Sequence, residues 1–165
     1  MAEIIKIGKA PAPALRFVGK KYGDEDRVDG LFGAKWDEWF KNNWFQLLEK
    51  LNPLEGWGHY MGLMGHEDGV FKYWIGMFLP AETNPPEGFA YMDYPSCNVG
   101  FCRLKGREDN IYMNEPMCAE TLQQAGFELL EQEFICFERE LMCEDPDVAQ
   151  LNEGEMLLDI CFFVK

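Results

Sequence analysis

At 165 residues, 47% apolar and 27% charged, the chain is long enough for one domain with a real core and ordinary for a globular protein. A formal net charge of -14, from 15 basic and 29 acidic residues, repels phosphate backbones, which argues against nucleic-acid binding, and would draw cations toward any cleft. No apolar run reaches the length of a membrane helix and no signal peptide opens the chain, so the expected location is cytoplasmic, with no membrane partner and with six cysteines as reduced thiols.

Glu3 to Gly8 alternate as a first strand, which Ala10-Pro11-Ala12-Pro13 is expected to break. Leu15 to Tyr22 follows as a second strand, then an acidic loop from Gly23 to Gly30. Leu31 to Leu51 reads as one long helix. Its Phe32, Trp36, Trp39, Phe40, Trp44, Leu47, Leu48 and Leu51 recur at helical spacing, Asp29 can cap its start, and Asn52-Pro53 ends it. Trp57 to Met64 and Val70 to Leu79 read as two strands joined by a tight turn at Glu67-Asp68-Gly69. The second carries aromatics on both faces and belongs at the centre of a sheet, while His66 sits solvated in the turn.

A Pro-Pro linker over Thr83 to Gly88 leads to strands at Phe89 to Tyr94 and Cys97 to Lys105. A second helix is predicted from Asn114 to Ala125. Asn114 is its cap, Met117, Cys118, Leu122 and Ala125 form its stripe, and Gly126 is its left-handed stop. Glu133 to Leu141 is the next strand, Glu144 to Asn152 an acidic loop, and Glu155 to Val164 the last strand. The order strand, helix, strand, strand therefore occurs twice, over about 1–80 and about 89–165 of a single domain spanning 1–165. The expected architecture is α+β: a tandem repeat forming a pseudo-twofold antiparallel sheet, with two helices on one face and a cleft between them.

Within the Glu133 to Leu141 strand, Phe134, Cys136, Glu138 and Glu140 share one side. If that side is covered, Glu138 is a carboxylate in an apolar environment, with a raised pKa, a cationic partner or a chemical task; otherwise it points to water from an edge. Thirteen Phe, six Tyr and five Trp exceed what a core of this size usually needs, so some serve as core and some can line a pocket. No Cys-x-x-Cys pair occurs and His59 and His66 lie near no Cys, so no metal is expected. Gly88, Gly100 and Gly106 are too scattered for a phosphate loop, and no cofactor is expected.

Several segments resemble the GyrI-like small-molecule-binding domains. These are Ala14-Leu15-Arg16-Phe17-Val18-Gly19; Pro86-Glu87-Gly88-Phe89 followed by Asp93-Tyr94-Pro95 and Val99; Ala125-Gly126-Phe127-Glu128 followed by Phe137-Glu138-Arg139; and Leu157-Leu158-Asp159-Ile160. The resemblance spans essentially the whole chain and implies the same tandem fold. It implies an effector-binding domain like those of multidrug-sensing transcription regulators, binding bulky, often cationic aromatic compounds in a groove between the repeats. A buried Glu of the Phe-Glu-Arg strand meets the positive charge there, and that position is Glu138. A Tyr commonly follows Phe-Glu-Arg in the family; Glu140 stands here instead. Any link to transcription requires another chain, because no helix-turn-helix sequence is present.

Three functions follow as expectations. The first is a stand-alone binder of lipophilic, cationic or aromatic drug-like molecules, with Glu138 as the anion and Trp36, Trp39, Trp74 and Tyr112 as candidate walls. The alternative is a hydrolase of reactive, cyclopropanoid-type electrophiles, with Glu138 activating water and Tyr112 or Tyr91 assisting the leaving atom. The third is an acidic inhibitor of a basic protein partner such as gyrase. The oligomeric state is left open.

Overall fold

Asp68 and Gly69 both take positive φ, 52° and 78°, and the flanking strands pair from Glu67 and Val70 outward. This is the two-residue hairpin that Asp-Gly favours, because both central residues of its turn lie at φ > 0. Around it, the computed structural model describes residues 1–141 and 145–165, with only the backbone of Glu140. It is an antiparallel α+β fold of β1 (Glu3–Ala12), β2 (Leu15–Tyr22), α1 (Gly33–Lys41), α2 (Trp44–Glu49), β3 (Met61–Glu67), β4 (Val70–Pro80), β5 (Ala90–Tyr94), β6 (Cys97–Gly106), α3 (Glu115–Gln124), β7 (Cys136–Glu140) and β8 (Met156–Val164).

The chain divides into two compact units. Ala12–Ser96 carries strands in the order β3-β4-β2-β5, and Met1–Pro11 with Cys97–Lys165 carries β1-β6-β8-β7. Strand, helix, strand, strand recurs in each as the sequence suggests, but the outer strands are exchanged relative to halves at 1–80 and 89–165. β1 belongs with the second half and β5 with the first.

In the Ala12–Ser96 unit β4 is central, between β3 and β2. Gly19 and Gly76 face each other across β2 and β4, and a Cβ on either would strike the backbone carbonyl of Ile75 or Val18. One face of β4 meets the helices: Tyr73 stacks on Phe32 at 4.4 Å. On the other, Phe17 packs edge-on against Phe78 at 5.0 Å and Trp74 at 6.2 Å, and Trp57 covers Phe78 at 5.6 Å. Both faces are buried, as expected for a central strand.

The single helix predicted over 31–51 is two. Asn43 adopts left-handed φ 56° between α1 and α2, a conformation Asn tolerates at small cost. Asp29 does not cap α1. It lies at φ 53°, and Phe32 takes the cap position without a side-chain bond. The strand expected from Trp57 begins at Met61. β1 runs through Pro11 to Ala12, because an edge strand loses no ladder bond to a proline facing outward.

In the other unit β8 lies between β6 and β7. Helix α3 covers one face, burying Cys118 and Leu122, with the Cys102 Sγ 3.7 Å from the Cys118 carbonyl oxygen. The helix ends as predicted at Gly126 (φ 93°). The Phe127 N–H donates to the Leu122 carbonyl and the Gly126 N–H to that of Gln123, both at 3.0 Å, which satisfies two carbonyls of the last turn. Asn114 takes the N-cap position of α3, as predicted, but its side chain makes no cap bond. Its amide donates instead to the carbonyls of Asn110, Ile111 and Tyr112, at 3.1, 2.7 and 3.1 Å, and so shapes the loop before the helix.

Candidate functional site

Glu138 is half-buried at the middle of β7, in one row with Ile160 of β8 and Cys102 of β6. Cys102 is the residue that touches α3, so Glu138 lies on the helix-covered face of this unit. Its neighbour on that face, Cys136, is buried, and its thiol is pushed well up by that burial and then by the nearby charges of Glu115 and Glu138. The charges of two carboxylates, one from the first turn of α3 and one from β7, therefore both act on this buried thiol. Phe134 does not extend this face in register. It takes φ 57°, and the strand begins only at Cys136. The side chain of Glu140 lies outside the described residues. Tyr112 is half-buried in the loop that Asn114 holds, within the same unit as Glu138.

The candidate tryptophans all belong to the Ala12–Ser96 unit. Trp36 and Trp39 come together on α1 against Phe45, at 5.5 and 4.7 Å. Trp39 is fully buried and its indole N–H donates to the Tyr22 hydroxyl at 2.9 Å. Burial then pushes the Tyr22 phenol up against that bond. Trp36, half-buried, donates to the Tyr73 hydroxyl at 3.1 Å, and Gly62 leaves the room that hydroxyl needs. Trp74 is on the opposite face of β4, so it does not share a wall with Trp36 and Trp39. Tyr91, exposed on β5, is stacked under the Arg16 guanidinium at 4.0 Å.

One constellation escaped the sequence reading. Arg103, Asp159 and Arg139 sit side by side across β6, β8 and β7, on the face away from α3. Asp159 is fully buried. It accepts from Arg103 Nε and Nη2 at 2.8 and 3.1 Å and from Arg139 Nη2 at 2.9 Å. Arg103 also donates to Asp147 at 2.5 Å and Asp145 at 3.4 Å, and these carboxylates, Asp159 first, hold its guanidinium above its ordinary pKa. Opposite charges inside two apolar runs, Phe101-Cys102-Arg103-Leu104 and Leu158-Asp159-Ile160, were the available signal.

No family model and no curated protein matches the chain. Solved structures do. SAV2435 bound to tetraphenylphosphonium aligns at TM-score 0.63 and 15% identity, over 98% of this chain and 94% of that one. A protein from Staphylococcus aureus MU50, named for a proposed role in bacterial transcription regulation, aligns at TM-score 0.61 and 16% identity, over 97% and 98%. The EcmrR C-terminal domain aligns at 0.55 and 14%, over 97% of each chain. The chain shares the fold of these proteins over 97–98% of its length.

Proposed function

We propose that the protein binds small lipophilic cations, as a GyrI-like effector-binding domain does, with Glu138 as the anionic contact. The observation that carries this reading is the half-buried carboxylate on the helix-covered face of β7, beside buried Cys136 and with Glu115 adding a second negative charge. A carboxylate partly stripped of water attracts a poorly hydrated organic cation more than it attracts a hydrated metal ion or ammonium. The fold it shares with SAV2435, whose structure holds tetraphenylphosphonium, supports the same class of ligand.

The test is a titration with tetraphenylphosphonium and with a rhodamine-type dye, on the wild type and on Glu138→Gln. The variant keeps the shape and removes the charge, and binding is expected to weaken about tenfold or more, the equivalent of losing about 1.4 kcal/mol. Equal affinity in both forms would remove Glu138 from the site. Turnover of an electrophile is the second reading, supported by Glu138 and Tyr112 lying in one compact unit. Under it, Glu138→Gln would bind such a compound and leave it intact.

A further inference from the structure

Lys20 is held in an unusual way for a chain with so many carboxylates. Its ammonium lies 4.5 Å from the Trp44 ring centroid and 4.6 Å from that of Phe89, and it donates to the Gly88 carbonyl at 2.9 Å. Four cations of the same unit pair with acids, Arg16 with Asp93, Lys21 with Glu67, Arg27 with Asp24 and Lys35 with Glu38. Among the described residues no carboxylate pairs with Lys20.

The rings form a corner. Trp44 and Phe89 meet edge to face, centroids 6.2 Å apart and planes at 86°, so the ammonium sees the two faces from directions close to a right angle. Trp39, buried and fixed by Tyr22, props the corner from behind, edge-on to Trp44 at 5.5 Å and to Phe89 at 5.7 Å. A parallel sandwich admits only one thickness of guest. A corner with an open side admits larger cations, and Lys20, Trp44 and Phe89 are each half-buried, so the open side is reachable from water.

We infer that this corner is a second cation site, for quaternary ammonium groups, and that Lys20 is its resident occupant, displaced when such a ligand binds. A primary ammonium is strongly hydrated and regains water when it swings out, whereas a methylated cation gains most from ring faces. All of these residues belong to the Ala12–Ser96 unit and Glu138 to the other, and the inference uses nothing of the proposed Glu138 contact.

The experiment follows the lysine side-chain methylenes by NMR in the full-length protein, using benzyltrimethylammonium as the probe. In the free protein, ring currents place the Lys20 ε-methylene upfield, and its loss in Lys20→Gln identifies the signal. Adding the probe is expected to move that signal toward the position of exposed lysines, in the wild type and in Glu138→Gln alike. Lys20→Ala, which vacates the corner, is expected to bind the probe about tenfold tighter, and Phe89→Leu, checked for folding by circular dichroism, to lose this effect. A Lys20 signal that stays in place at saturating probe would overturn the inference. So would unchanged affinity in Lys20→Ala, or loss of all binding in Glu138→Gln.

Discussion

Asp159 shows how much one residue can hold. It is fully buried and answers two arginines, and they reach it from the strands on either side of its own. Replacing it with Asn leaves two guanidiniums facing an acceptor without charge, one of them, Arg103, itself buried. Removing one partner of a buried ion network costs about 3–5 kcal/mol, so Asp159→Asn should lower the urea midpoint steeply with little change in slope. Arg139→Met should cost less, because Asp159 keeps its two bonds from Arg103. A larger loss in Arg139→Met than in Asp159→Asn would contradict this assignment. Glu138 could be singled out from sequence because its apolar neighbours make a charge improbable there. Asp159 stands in an equally apolar run, but what it does there depends on Arg103, 56 positions earlier, and no local pattern supplies that pairing.

At the scale of elements, most strands were legible because alternation, turns and glycines act locally. Leu15–Tyr22 was read to the residue, and the Asp68-Gly69 hairpin followed from turn chemistry alone. The helix break was not legible. Apolar spacing continues through Asn42 and Asn43, and only the left-handed Asn43 shows where the axis changes. That break carries Trp44 out of the stripe expected of one long helix and onto Lys20. Two substitutions test these elements. Gly76→Ala should destabilise by at least about 1–3 kcal/mol, as overpacking does, because its Cβ would meet the Val18 carbonyl rather than a yielding side chain. Gly126→Ala should cost about 1 kcal/mol, because φ 93° is available to glycine and strained for alanine. Both are read from chemical denaturation, and a neutral Gly76→Ala would mean that the two strands can separate there without loss.

For the molecule as a whole, the buried thiols set an alkaline limit. Burial pushes Cys161 up to about 12 from its ordinary value of 9.0, and Cys136 well above it. A raised folded pKa stabilises the protein fully below the unfolded value. Between about 9 and about 12 the unfolded chain releases these protons and the folded chain keeps them, so stability falls by up to about 1.4 kcal/mol per pH unit for each thiol. The melting temperature should therefore drop above pH 9, and Cys161→Ala should show a shallower drop than the wild type. Equal slopes would mean that Cys161 ionises as readily folded as unfolded.

The exchanged outer strands have a consequence for how the molecule comes into being. A ribosome delivers Ala12–Ser96 as an unbroken stretch, and everything that unit packs against itself is present once Ser96 has emerged. β1 is delivered first, yet its ladder partner β6 begins only at Cys97, so the strand with the earliest birth has the longest wait. Joining the last residue to the first through a flexible linker and opening the chain between Ser96 and Cys97 would make both units contiguous. Such a permutant should refold modestly faster than the parent at similar stability, since each unit would be complete within one unbroken stretch and the β1–β6 pairing would span fewer residues.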